Sequence, residues 1–270
     1  MSNLELYLLT FLLYGALAAY FWRVQLGGKT DSPSYSAAGY AVLLPLVLHG
    51  YLLHVSIFDT HGINFSLVQA VSLILWLAVL VYWVAQFFYP IGSLQALVLP
   101  LAAVGVLLPG LFPSEHPRTG NASFAFEAHI MAAMMAYSLF TIAALHAMLI
   151  LWVEKRLHHA ALPKALRDLP PLLTMEALLF RVINVGFILL TLTLALGMVF
   201  SQQIFGEPLQ FKHMILFGIL SWVVFAALLA GRHFYGWRGR RAVHWMMSGY
   251  VFLVLAYLGT EFVQEVLLHR

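Results

Sequence analysis

Between Ala128 and Val153 the chain carries no charged side chain. Wound as a helix at about 1.5 Å per residue, such a run exceeds the ~30 Å hydrocarbon thickness of a bilayer. Further apolar stretches at approximately 4–22, 37–57, 66–88, 93–111, 177–200, 212–231 and 243–263 reach or approach the same length. The stretch 93–111 is the shortest and contains Pro100 and Pro109. Hydrocarbon offers backbone amides no partner, so each stretch must satisfy its own hydrogen bonds by forming a helix. The expected fold class is therefore all-α: a polytopic bundle of eight transmembrane helices. Residues 1–270 form one transmembrane domain, with a short cytoplasmic interfacial segment at 154–175. Composition agrees, because only 9% of the 270 residues are charged, against roughly 25% in a soluble domain.

The first stretch reads as an uncleaved span rather than a signal peptide. It lacks a basic start, carries Glu5, and has Arg23 after the apolar run. Orientation follows from the cations. Arg23, Lys29, Lys155, Arg156, Lys164, Arg167, Arg181, Arg232, Arg238, Arg240 and Arg241 fall on one side, and only Arg118, Lys212 and Arg270 on the other. The positive-inside rule puts the first set in the cytoplasm and both termini outside. The net charge of +3 lies beside membrane spans, which points to lipid headgroups and away from nucleic acid. Absence of cysteine excludes disulfides, thiolate metal sites and covalent haem attachment to this chain.

Function must then come from polar groups set in apolar spans. Carboxylates are absent at depth, which argues against a proton-driven transporter, and no H-E-x-x-H, G-x-S-x-G or P-loop pattern occurs. What remains are histidines. His129 opens the span 128–153 and His213 opens 212–231, so both are expected at the outer membrane edge. Two imidazoles at one depth supply either the axial ligands of a haem iron or two ligands of a transition metal. The plain alternative is a pair of interfacial histidines bonded to headgroup, water or backbone. Ala132, Ala133 and Ala136 share a face behind His129, a strip that admits either a planar macrocycle or a neighbouring helix. His49 is intramembrane, about 12 Å below the outer edge, and stands as a second ligand or a relay. His146, about 26 Å along the same span as His129, is either a relay or a packing group. Arg118 and Lys212 are the only cations near the outer histidines; a haem there needs such partners for its propionates, and otherwise they are loop charges. Glu127 either orients an imidazole through its second nitrogen or favours its helix N-terminus, and the latter is the expectation.

Five stretches carry a resemblance. They are "HGINFSLVQAVSLILWL", "EAHIMAAMMAYSLFTIAALHAMLILWVEKRL", "LPPLLTMEALLFRVINVGFILLTLTL", "KHMILFGILSWVVFAALLAGRHFYGWRGRRA" and "AYLGTEFVQEVLL". In order and spacing the chain resembles the cytochrome c assembly protein family of CcsA-like membrane proteins, and within it the short HemX/YpjD-like branch. The resemblance implies a bacterial cytoplasmic-membrane protein that handles haem. It also implies that His129, at the position of an outer axial ligand, binds iron. The family's haem-attaching members carry a W-x-W-D loop, a late "LHSY" histidine and an intramembrane histidine near the end of the span equivalent to 212–231. Here the loop reads "SQQIFGEPLQFKH", the late segment reads "YLGTEFVQEV", and an aliphatic residue replaces the intramembrane histidine. The expectation is thus a non-enzymatic protein that binds haem b non-covalently and supports cytochrome c biogenesis. His129 and His213 are its axial pair and Arg118 and Lys212 its propionate partners. Its partners are haem, the lipid bilayer and cytochrome c maturation or other membrane proteins. The alternative is a haem-free regulatory or scaffold subunit of another membrane enzyme or transporter, and a divalent-metal site at the outer histidines is a third reading.

Overall fold

The computed structural model describes residues 3–27, 33–59, 62–88, 95–113, 117–118, 124–158, 171–201, 213–260 and 262. Residues 159–170, most of the expected interfacial segment 154–175, lie outside them, as does Lys212. Nine helices occur among the described residues: α1 Asn3–Gly27, α2 Pro33–Ala41, α3 Leu43–Ile57, α4 Leu67–Ala85, α5 Gln95–Leu111, α6 Phe124–His158, α7 Leu172–Val199, α8 His213–Tyr235 and α9 Gly239–Val254. The fold is all-α. Seven helical segments are long and apolar enough to cross a membrane, α2 with α3 and α9 with its extension each counting as one, and α5 is a shorter apolar helix of 17 residues. These are the eight stretches read from the sequence.

Two interruptions have local causes. Pro45 lacks the N–H that would bond the carbonyl one turn back, so the second apolar stretch breaks at Val42 into α2 and α3. At the other end of the chain, α9 loosens into a π-turn over Leu255–Gly259, a geometry that inserts one extra residue per turn.

The chain forms two compact units, Met1–Thr119 with Val153–Pro171, and Gly120–Trp152 with Leu172–Arg270. In the first, α5 packs along both α1 and α4. Glycines set the closeness: a Cβ on Gly105 would lie 2.6 Å from Leu75 Cδ1, and one on Gly110 would lie 2.8 Å from the Tyr7 ring. Lipid is as apolar as any side chain, so this close approach, rather than exclusion from water, holds such helices together. Trp76 Nε1 donates to the Leu46 carbonyl at 2.7 Å, with its ring lying on Gly50. A small antiparallel ribbon joins Phe58–Asp59 (β1), Gly62–Asn64 (β2) and Pro117–Arg118 (β3), with Phe58 and Arg118 both in register with Ile63.

In the second unit α6 is buried nearly all round. Residues 132–134 and 136–140 form an almost unbroken buried run, the pattern of a central helix. Its Phe140 stacks on Phe225 of α8, ring centroids 3.9 Å apart and planes 13° from parallel. Gly186 of α7 faces the edge of Phe140, and Gly249 of α9 faces Phe225. Four helices therefore meet at one aromatic pair capped by two glycines. Helix α9 is clasped twice, by Ser221 Oγ donating to the Gly249 carbonyl (2.9 Å) and Tyr137 Oη donating to the Leu253 carbonyl (2.7 Å).

The turn from α8 to α9 is fixed by Gly236 (φ 64°) and Gly239 (φ 54°), a left-handed backbone that glycine adopts without strain. Trp237 lies over Gly231, and Arg232 Nη1 donates to the Trp237 carbonyl at 3.1 Å. Glu176, in the first turns of α7, accepts the Gly239 N–H at 2.7 Å.

Candidate histidine site

His129 is half-buried in the second turn of α6. Its Nδ1 lies 3.1 Å from the Thr193 carbonyl of α7. A carbonyl oxygen can only accept, so Nδ1 carries the proton and donates it, and the ring's remaining lone pair sits on Nε2. That is the tautomer in which histidine binds a metal through Nε2 while its other nitrogen anchors the ring. The ring lies on Gly197, where a Cβ would be 3.2 Å from His129 Cε1. Neither Thr193 nor Gly197 was named from the sequence. The readable trace was a threonine and a glycine four residues apart, on one face of the helix.

His213 is the first residue of α8 and is exposed. Its level relative to His129 follows from register. Phe187 stacks on Trp222, Thr191 Oγ1 accepts from Trp222 Nε1 at 2.9 Å, and Leu194 meets Gly218. Helix α8 thus runs antiparallel to α7. Contacts of His129 with Thr193 and Gly197, and of Phe140 with Gly186, make α6 antiparallel to α7 as well. Helices α6 and α8 are therefore parallel and meet at Phe140 and Phe225. His129 precedes that pair by eleven residues and His213 by twelve, so both stand ~16–18 Å along their helices from the stack. They share one end of the second unit.

The alanine strip is closed. Ala132, Ala133 and Ala136 are all buried, so these small residues serve close packing. Glu127 is exposed in the first turn of α6, where its charge complements the helix N-terminus. Arg118 lies in β3 of the first unit, opposite Ile63. His146 is 2% exposed, and its Nε2 has no hydrogen-bond partner among the described residues.

His49 forms a separate polar point in the first unit. Only 1% exposed, it places Nε2 2.9 Å from Ser72 Oγ of α4. Its Nδ1 has no partner among the described residues, and neither does the hydroxyl of fully buried Tyr14, whose ring stands edge-on to the imidazole at 5.8 Å. Among the described residues no three histidines or carboxylates converge as a polydentate metal site. Two-point coordination of a macrocyclic iron needs no such cluster.

These features define a class: a multi-pass α-helical membrane protein with an oriented imidazole at the end of one helical unit and a buried one inside the other. The chain belongs to the cytochrome C assembly protein family, whose model matches residues 36–268. It is similar to "Inner membrane protein YpjD" of Escherichia coli (strain K12), 29% identical over 229 residues, which cover 84% of this chain and 86% of that one. It is also similar to an uncharacterized 28.8 kDa protein of Azospirillum brasilense, 31% identical over 65% of this chain and 66% of that protein. A shorter likeness, 33% identity over 88 residues, joins a third of this chain to a quarter of "Cytochrome c biogenesis protein CcsA" from Trichormus variabilis. No solved structure matches.

Proposed function

We propose that this protein binds haem b non-covalently at the His129 end of its second unit. It supports cytochrome c biogenesis in the bacterial inner membrane without itself attaching haem. The observation that carries this reading is the hydrogen bond from His129 Nδ1 to the Thr193 carbonyl, which prepares Nε2 as an axial ligand. The parallel register of α6 and α8 supports His213 as the second ligand. Family membership supports haem as the cargo and a cytochrome c maturation protein as the partner. Lys212, the neighbour of His213 in the chain, is the proposed propionate partner, through a charge-assisted hydrogen bond. His49 is a second, internal ligand or relay, since its buried Nδ1 has no partner among the described residues and an intramembrane polar group is costly to leave unpaired. Both termini are periplasmic, with the arginine-rich turn between α8 and α9 on the cytoplasmic side.

His129 and His213 would hold such a haem through its iron, and the chain itself would position and shield it. A visible spectrum of protein purified from haem-replete cells tests the reading. A Soret band that weakens in both His129→Ala and His213→Ala is expected. Colourless wild-type protein would instead favour a haem-free scaffold of another membrane protein.

A further inference from the structure

The geometry points to Gly197 as a positioning residue. By lacking a side chain it opens the Thr193 carbonyl to His129, and that carbonyl then fixes the tautomer and plane of the imidazole. This rests on the proposed role of His129 and extends it to a residue outside any ligand set.

A helical carbonyl is normally screened by the side chain four residues later, because Cα–Cβ bonds tilt toward the helix N-terminus. Residue 197 occupies that screening position for Thr193. An ideal Cβ there would stand 3.2 Å from His129 Cε1 and 3.5 Å from Nδ1, so the imidazole fills the space where a side chain would begin. A carbonyl oxygen has two lone pairs. One serves the backbone of α7, and the other takes the Nδ1 proton. Thr193 does not compete through its own hydroxyl, which donates back to the Leu189 carbonyl at 2.9 Å.

Each substitution grades the effect. Alanine at 197 presses Cε1 by a few tenths of an ångström. Valine adds two methyls where the ring lies, and the ring must leave the carbonyl. Once free, the imidazole can carry its proton on Nε2, the nitrogen meant for the metal. Loss of such an outer hydrogen bond typically weakens a metal ligand 10–100-fold.

Two measurements test the proposal on the full-length protein in lipid nanodiscs. The first needs no haem: ¹⁵N spectra of histidine-labelled protein, with His129 assigned by difference against His129→Ala. Wild type should show protonated Nδ1 and bare Nε2 at His129, and Gly197→Val should lose that signature while Gly197→Ala keeps it. An Nε2-protonated His129 in wild type, or an unchanged tautomer in Gly197→Val, would overturn the assignment.

The second is a hemin titration read by the Soret band. Gly197→Val should bind 10–100-fold more weakly, and added free imidazole should restore the wild-type band, as it should in His129→Ala. Equal affinity for wild type and Gly197→Val overturns the proposal, and so does a loss that imidazole repairs in His129→Ala but not in Gly197→Val. Wild-type protein with the expected tautomer that takes up no hemin sinks the haem reading and leaves the positioning role standing.

Discussion

Adding one methyl group at Gly249 should destabilise the second unit, and the size of the effect can be worked from the aromatic pair. A Cβ at 249 would lie 2.9 Å from both Cε1 and Cζ of Phe225, well inside van der Waals contact. The ring has nowhere to retreat. Its other face is against Phe140 at 3.9 Å, and the edge of Phe140 already meets α7, where a Cβ on Gly186 would be 3.2 Å from Cζ. The strain must pass through three helices or open the α8–α9 contact. Overpacking of this kind costs about 1–3 kcal/mol. Gly249→Ala should therefore lower unfolding free energy by that amount in detergent, followed by tryptophan fluorescence or by loss of the monodisperse peak on heating. Trimming the ring should return the space, so Phe225→Leu combined with Gly249→Ala should cost less than the two changes summed, by roughly 1 kcal/mol or more. Gly249→Ala within about 0.5 kcal/mol of wild type, or strict additivity in the double variant, would refute the argument that these rings are confined.

Other outcomes follow from single contacts. Ser72→Ala removes the partner of His49 Nε2 and should cost ~0.5–2 kcal/mol, the range for hydrogen bonds between membrane helices; Ser72→Ala with His49→Leu should be closer to wild type than Ser72→Ala alone, as read by denaturant titration. Glu176→Ala leaves the Gly239 N–H without its acceptor and should cost ~1–3 kcal/mol, whereas Glu176→Gln keeps an oxygen in place and should lose less. Gly236→Val, at a φ of 64°, should destabilise by at least about 1 kcal/mol, detectable as faster proteolysis at the α8–α9 turn.

Much of this architecture was legible because lipid simplifies the code. Eight apolar stretches became apolar helices, and even the weakest, 93–111 with its two prolines, is the 17-residue α5. Helix ends were less legible. Helix α6 was expected over 128–153 and runs from Phe124 to His158, since helical hydrogen bonds continue past the hydrocarbon into Glu154, Lys155 and Arg156. Helix α9 begins at Gly239, among Arg240 and Arg241, for the same reason. That His129 and His213 open their spans could be read from the sequence, but contact between their helices could not; that depends on Phe140 and Phe225 meeting across separate spans. The seat of His129 was hidden because it consists of a backbone oxygen and a missing side chain, which composition and hydropathy do not register. His49 was visible as a polar residue in an apolar span, whereas its pairing with Ser72 needed the packing of α3 on α4.

The bond between Glu176 and Gly239 joins positions 63 residues apart, and this has a consequence for biosynthesis. As the ribosome delivers the chain, the carboxylate reaches the membrane long before the amide it will cap has been translated. Until α9 is inserted, that acid lacks the Gly239 amide as its partner. A truncated product would keep the acid in that state, giving quality-control proteases a chemical difference between finished and unfinished copies.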